Sequence, residues 1–253
     1  MVFYGSRIGD ESSPFQPAAA MDAMFPHSYP AEERPVRLSM HAEHDDSSAG
    51  FWTAEAAHLR AAFDRQARVR IEEGNPSHFS VFALAPQPLL MLLGSLFTDK
   101  ADVSVYQLHR EPKTWKWQAH PGSFQFTLTS PASTSGGPAL LLSLSAKIGR
   151  ERVAPIVGDA SIWEISCSDC NNDVLKSETQ LSMFRQVARS ALAAIKAAHP
   201  QAKEIKVFPA MPVACAVEFG RIRQPKADLP WRIYDQNHKH QKFIESLVIG
   251  DIQ

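Results

Sequence analysis

The segment "LHREPKTWKW" (Leu108–Trp117) gathers His109, Arg110, Lys113, Lys116 and two indoles, Trp115 and Trp117, within nine residues. Guanidinium and ammonium groups pair with phosphate oxygens. Indole faces stack on nucleobases, at about 1–3 kcal/mol per stacked base. Interleaved basic and aromatic residues of this kind suit a nucleotide ligand. Side chains in a Trp-x-Trp pair on a strand point to opposite faces. One of Trp115 and Trp117 is therefore expected in the core and the other beside the ligand.

Other polar groups recur at strand spacing. Ser143, Ser145 and Lys147 alternate along "SLSAK" and share a face that points into a cleft or lies at a solvated strand end. Asp235, Gln236 and Asn237 follow Tyr234, as Gln107, Leu108 and His109 follow Tyr106. Amide side chains at such places can read base edges, although ordinary turn chemistry is the simpler account of Asn237. Cys167-Ser-Asp-Cys170 is a lone C-x-x-C, and structural zinc would need two further ligands. "HAEH" (His41–His44) and "HKH" (His238–His240) bring no clear carboxylate or cysteine set. No metal is expected. Cys215 falls in a predicted helix and is expected in the core. No G-x-S-x-G is present, and Glu218, on the same helix, is expected to be solvated or paired. No catalytic residue is assigned.

The totals narrow the class of partner. With 44% hydrophobic residues in 253, the chain can bury one large core or two smaller fused ones. The formal net charge is −1, which argues against coating duplex DNA or an anionic membrane. Residues 1–50 hold eight of the 27 acidic but three of the 26 basic side chains, so residues 51–253 are cationic by four charges. That suits a small anionic ligand. Three cysteines are poor material for a disulfide framework. No cationic start with an apolar run opens the chain, and no stretch reaches about 18 apolar residues. A reduced, cytoplasmic, soluble protein is expected.

These groups need elements to position them. Residues 1–34, with Pro14, Pro17, Pro26 and Pro30, read as an extended arm or linker. Pro35–His41 alternates like a short strand. A helix is predicted over about 52–71 from the stripe Trp52, Ala56, Leu59, Phe63 and Ala67. Strand "FSVFAL", a proline turn, helix "PLLMLLGSLF" and strand "DVSVYQLH" follow, then "FQFTLTS", "ALLLSLSAKI" and "SIWEIS". The second half opens with a helix near 178–198. Strand "EIKVF", turn "PAMP", helix "VACAVEFGRI" and strand "WRIYD" complete it. Short, wholly apolar strands point to a mostly parallel sheet covered by helices.

One unit occurs twice. "VFALAPQPLLMLLG" (Val81–Gly94) returns as "VFPAMPVACAVEFG" (Val207–Gly220), 126 residues later, with Val, Phe, Pro and Gly in register. The predicted fold class is α/β, two fused Rossmann-like halves related by a pseudo-twofold axis. In such sheets ligands sit beyond the strand carboxyl ends, at helix N-termini. Ala83, Leu84, Ala85, Pro86 and Gln87 occupy that place in the first half, and Pro209, Ala210, Met211 and Pro212 in the second. Small residues there allow close approach, and N–H groups of the following helix favour anionic oxygen. Neither turn carries a dinucleotide or phosphate-loop fingerprint. No cofactor is expected.

"HFSVFALAPQPLLMLLGSLFTDKADVSVYQLHR", then "WKW", "LLLSLSAKI" and "VFPAMPVACAVEFGRIRQPKADLPWRIYDQN" together resemble the SAVED domain over about residues 35–253. The resemblance implies two CARF-like halves, about 35–150 and 151–253. It also implies a non-enzymatic sensor of a cyclic oligonucleotide, a cyclic trinucleotide containing adenine, in bacterial antiphage signalling. Ligand-driven head-to-tail assembly would activate an effector. The first 34 residues are too few for one, so a separate effector chain, or a sensor fragment, is expected. The ligand would meet both repeated turns, Tyr106, His109, Arg110, a tryptophan, Ser145, Lys147, Tyr234, Asp235 and Gln236. The alternatives are a ring nuclease that degrades the messenger, a Rossmann-like enzyme for a mononucleotide or cofactor, and an interaction module with a vestigial pocket.

Overall fold

The computed structural model describes residues 1–6, 13–40, 48, 50–74, 78–97, 101–237, 239 and 241–251. Both histidine clusters lie wholly or mainly outside these. The chain opens with β1 (Val2–Gly5), whose side chains are all buried. This corrects the expectation of an extended arm. "VFYG" is a continuous apolar run, the pattern of a parallel strand covered on both faces, and four residues are too few to show a period. Pro17 does not mark a linker. It starts helix α1 (Pro17–Met24), where a missing N–H costs nothing.

Strand β2 (Val36–Ser39) matches the predicted short strand. Helix α2 (Phe51–Phe63) continues through a π-turn into α3 (Val69–Glu73), which ends at Gly74 in the left-handed region, φ 67°. Strand β3 (His78–Leu84), helix α4 (Gln87–Phe97) and strand β4 (Asp102–Tyr106) follow. These strands form a four-stranded, all-parallel sheet in the order β2-β1-β3-β4.

The second sheet is built from β5 (Phe126–Thr129), β6 (Pro138–Ser143), β7 (Ser161–Cys167), β8 (Ile205–Ala210), β9 (Trp231–Asn237) and β10 (Lys242–Ile249). Its order is β10-β9-β8-β6-β7-β5, with β6 to β9 parallel and an antiparallel strand at each edge. Strands β5 and β6 therefore belong to the second half, and the halves divide after β4, well before residue 150. Helix α5 (Arg150–Val157), α6 (Glu178–Ala198) and α7 (Val213–Ile222) complete the chain. Ser177 and Gln180 form a capping box at the start of α6, which satisfies two otherwise orphaned N–H groups.

The repeat acquires a physical meaning in the packing. Helices α4 and α7 make the most extensive helix contact in the molecule. A Cβ on Gly94 would lie 1.9 Å from the Val217 carbonyl oxygen, and one on Gly220 would lie 2.0 Å from that of Met91. The two contacts are images of each other across a pseudo-twofold axis between the helices. The sheets carry the same relation. Phe82 stacks on Tyr106 (4.5 Å) and meets Trp115 edge-on, while Phe208 stacks on Tyr234 (4.9 Å) and meets Phe243 edge-on. Helices α2, α4, α6 and α7 fill the core between the sheets. Helices α1 and α5 seal the outer faces.

Candidate functional site

The carboxyl ends of both sheets open into one cleft of about 450 Å³. Leu84 comes from the end of β3 and Gln107–Arg110 and Lys113 from the segment after β4. Ser145 follows β6, Asn172 follows β7, and Met211, Pro212 and Val213 lead from β8 into α7. Five parallel strands thus deliver their ends to one place, where open α/β sheets bind ligands.

The cationic wall is a closed loop. The His109 N–H donates to the Thr114 carbonyl at 2.8 Å, which pins the loop base and leaves exposed Arg110 and Lys113 between its ends. Among the described residues neither of these side chains has an ion partner. The Arg110 N–H donates to Asp173 Oδ1 at 3.3 Å, and Asp173 also pairs with Lys176. Burial works against the Asp173 carboxylate, but the Lys176 ammonium and the Arg110 N–H hold its pKa below the ordinary value.

His109 lies beneath this loop with 0% exposure. Its Nδ1 is 3.8 Å from Asp173 Oδ1, and among the described residues neither ring nitrogen has a hydrogen-bond partner. Burial lowers its pKa, with Asp173 opposing. A neutral imidazole therefore lines the cleft with donor and acceptor capacity unspent.

Two glutamines tie the halves together at the cleft floor. Gln87 Oε1 accepts from the Met211 N–H at 3.1 Å, and Gln107 Oε1 accepts from the Ala214 N–H at 3.2 Å. The N-terminus of α7 is thus partly capped by the first half, which corrects the expectation that its N–H groups stand open to an anion.

The other expected residues separate into groups. Leu84, His109, Arg110, Ser145, Met211 and Pro212 come together in the cleft. Ala85 and Pro86 form the half-buried turn beside it. Ala210 accepts the N–H groups of Leu144 and Ser145. Ala83 is buried within β3, and Pro209 sits inside β8 opposite Leu142. Tyr106 and Tyr234 are consumed by the aromatic stacks, so their recurrence reports core packing. Trp115 is buried, its indole N–H donating to the Pro14 carbonyl at 2.9 Å. Trp117 is the half-exposed one and packs edge-on against His109. Strand β6 stops at Ser143, whose hydroxyl accepts from the Ile148 N–H, so the expected alternation to Lys147 fails and Lys147 lies exposed outside the cleft lining. Asp235 and Gln236 lie within the β9–β10 pair, where Gln236 accepts from Arg152. They do not line the cleft, because β9 runs on into an edge hairpin where β4 turns back over its sheet.

Lys113 and Gln107, weighed in the sequence for phosphate and base-edge contacts, do line the cleft, whereas sequence reading passed over Leu108, Asn172 and Val213 as site residues. Leu108 was signalled by following β4. Nothing in the sequence distinguished Asn172. Glu218 is buried and paired with both Arg185 and Arg221. Among the described residues no group of three metal-ligating side chains occurs, and no helix is long and apolar enough to cross a membrane.

Comparison with known proteins identifies the arrangement. Residues 59–249 match the model of SAVED, the SMODS-associated and fused to various effectors sensor domain. The chain belongs to the SAVED family. A search of curated proteins returns no match. Among solved structures, the Cap4 SAVED/CARF-domain receptor of Acinetobacter baumannii with the cyclic trinucleotide 2'3'3'-cAAA superposes at TM-score 0.62 and 13% identity, over 99% of this chain and 51% of that one. The same receptor with 3'3'3'-cAAA gives 0.58 at 11% identity, over 88% and 50%. The Moraxella osloensis Cap4 receptor gives 0.55 at 12%, over 88% and 49%. At such identities the likeness is one of fold. This SAVED chain spans about half the length of those receptors. Its two α/β halves are a SAVED/CARF fold, and the family description makes it a sensor domain.

Proposed function

We propose that this chain senses a cyclic oligonucleotide, a cyclic trinucleotide containing adenine, in the cleft between its two halves. The observation that carries the reading is the closed 109–114 loop. It holds two cations that have no ion partner among the described residues over the buried His109, at the joint carboxyl ends of both sheets. Arg110 and Lys113 would meet phosphates, and Ser145, which follows β6, would meet a base edge or ribose hydroxyl. The Acinetobacter baumannii Cap4 receptor, which shares the fold, was solved with the cyclic trinucleotides 2'3'3'-cAAA and 3'3'3'-cAAA. A cleft of this size falls within the ordinary range for ligand sites. It would seat one edge of such a ring and leave the rest to touch a second subunit. Binding would therefore favour head-to-tail assembly and activate an antiphage effector in the cytoplasm, on another chain or elsewhere in the same polypeptide. No cofactor or metal enters this scheme.

A thermal-shift panel of cyclic di-, tri- and tetranucleotides tests it. At a hundredfold excess over Kd, binding adds about 2.7 kcal/mol, so the cognate ring should raise Tm clearly. A shift with a dinucleotide cofactor and none with any cyclic trinucleotide would overturn the reading. Chromatography of the same mixtures for linear products separates sensing from ring cleavage, and intact ligand is expected.

A further inference from the structure

The Cys167–Cys170 pair has no part in the cleft's charges, yet it sits at the root of one cleft wall. Cys167 ends β7 and is buried, while Cys170 is half-exposed and within reach of a small reagent. Their Sγ atoms are 3.8 Å apart. A disulfide needs about 2.05 Å, so closure takes under about 2 Å of travel. The thiols are directed at the end of β6. Cys170 donates to the Ser143 carbonyl at 3.1 Å, and Cys167 donates to that of Leu144 at 3.7 Å. Ser145, next along, lines the cleft. In the other direction the cysteine loop continues to Asn172, also on the cleft, and to Asp173, which holds the Arg110 N–H and faces His109. The pair therefore joins the two segments that support Ser145 and the cationic loop.

We propose that Cys167 and Cys170 form a reversible redox site whose oxidation by a low-molecular-weight disulfide reshapes the ligand cleft. The Cys170 thiolate attacks one sulfur of the small disulfide. That S–S bond breaks, and the departing thiolate takes up the proton that Cys170 released. Cys167 then attacks the Cys170 sulfur of the mixed disulfide and expels the second small thiolate, which takes up the Cys167 proton. One disulfide is consumed, one is formed and two small thiols leave. The order follows from the surroundings. Burial, with the Cys170 sulfur adding to it, pushes the Cys167 thiol up to about 12, and the thiolate is the attacking form. Cys167 reacts second, against a sulfur already in contact. Cys215 is buried in α7 with its thiol pushed up, so it does not compete. Oxidation removes both S–H donors from the Ser143 and Leu144 carbonyls and draws the 168–173 loop toward β7, which disturbs the Asp173 support under Arg110.

The ligand consequence rests on the proposed function, whereas the redox site does not, and the experiment separates them. The full chain is equilibrated in mixtures of oxidised and reduced glutathione, trapped by alkylation, and mapped by mass spectrometry. An internal Cys167–Cys170 bond is expected, absent from Cys170→Ser. Hydrogen exchange should rise on oxidation in residues 143–148, 168–176 and 108–114, and stay unchanged in α4 and α7. A stable glutathione adduct on Cys170 without the internal bond, or an internal bond with unchanged exchange, overturns the proposal. Cyclic triadenylate should bind the oxidised form roughly five- to tenfold more weakly, the scale of one lost supporting hydrogen bond. Equal affinity for both forms overturns the coupling to the cleft. Altered exchange with no binding by either form supports the redox site and rejects the ligand reading.

Discussion

Arg110 is the side chain whose removal tests the cleft most directly. It is exposed, and among the described residues only its backbone is engaged, by Asp173. Arg110→Ala should leave the unfolding free energy within about 0.5 kcal/mol of the parent. It should cost about 1.5–3 kcal/mol of ligand affinity and flatten the salt dependence. Unchanged affinity in a calorimetric titration would move the phosphate site elsewhere. Two buried histidines give a second prediction. Burial lowers the pKa of His109 and of His199, whose Nε2 accepts the Trp163 indole N–H at 3.2 Å. Unfolded, both take up protons below about pH 6.5. The unfolded state then binds more protons than the folded one, so stability is full above that pH and falls as pH drops through it. Urea titrations across that range should show the loss, and His199→Gln should reduce it. Single residues were only partly legible in the sequence. The basic-aromatic segment announced the cleft, but which tryptophan is fully buried depended on the Pro14 carbonyl, 101 residues away, and neither indole lines the cleft. The tyrosine echo was plain, but its cause, a ring stack, was not.

Helices α4 and α7 set the next scale. Alanine at Gly94 or Gly220 would place a methyl at 1.9 or 2.0 Å from a carbonyl oxygen of the facing helix. Backbone cannot yield as a side chain does, so each change should destabilise by upwards of about 3 kcal/mol. Both force open the same gap, so Gly94→Ala with Gly220→Ala should cost less than the two singly summed. Chemical denaturation of the three variants checks this, and full additivity would mean that the helices relax independently. Glu218 braces α7 against α6, between Arg185 of α6 at 2.9 Å and Arg221 of its own helix at 2.5 Å, itself 1% exposed. Glu218→Ala should cost about 3–5 kcal/mol, because two cations lose a buried partner. Long amphipathic elements were readable here, α6 most of all. The weakly patterned ones were not. Helix α5 carries Pro155 and buries only Val153 and Val157, β1 is too short to show a period, and β10 alternates on an edge beyond the repeat.

At the scale of the molecule the two halves are alike in frame and unlike in surface. A patch on one half that meets a patch on the other half of the next copy makes a heterologous contact, which builds rings or filaments. Under the proposed function, light scattering should show a monomer that grows into head-to-tail oligomers with saturating cyclic trinucleotide. A mass that stays monomeric after confirmed binding would leave conformational change as the signal. The twofold plan was legible because Val, Phe, Pro and Gly recur in register. Its dividing line was not, because β5 and β6 choose their sheet by long-range pairing with β7 and β8. The same plan governs how the chain reaches its fold. The α4–α7 seam joins segments 126 residues apart, so its loop-closure entropy must be met before the contact rewards it. The seam should close after the transition state, when each sheet has already formed around its own strands. Glycine substitutions there should then speed unfolding and leave the refolding rate nearly unchanged. Stopped-flow measurement of both limbs would show it, and slowed refolding would place the seam in the folding nucleus instead.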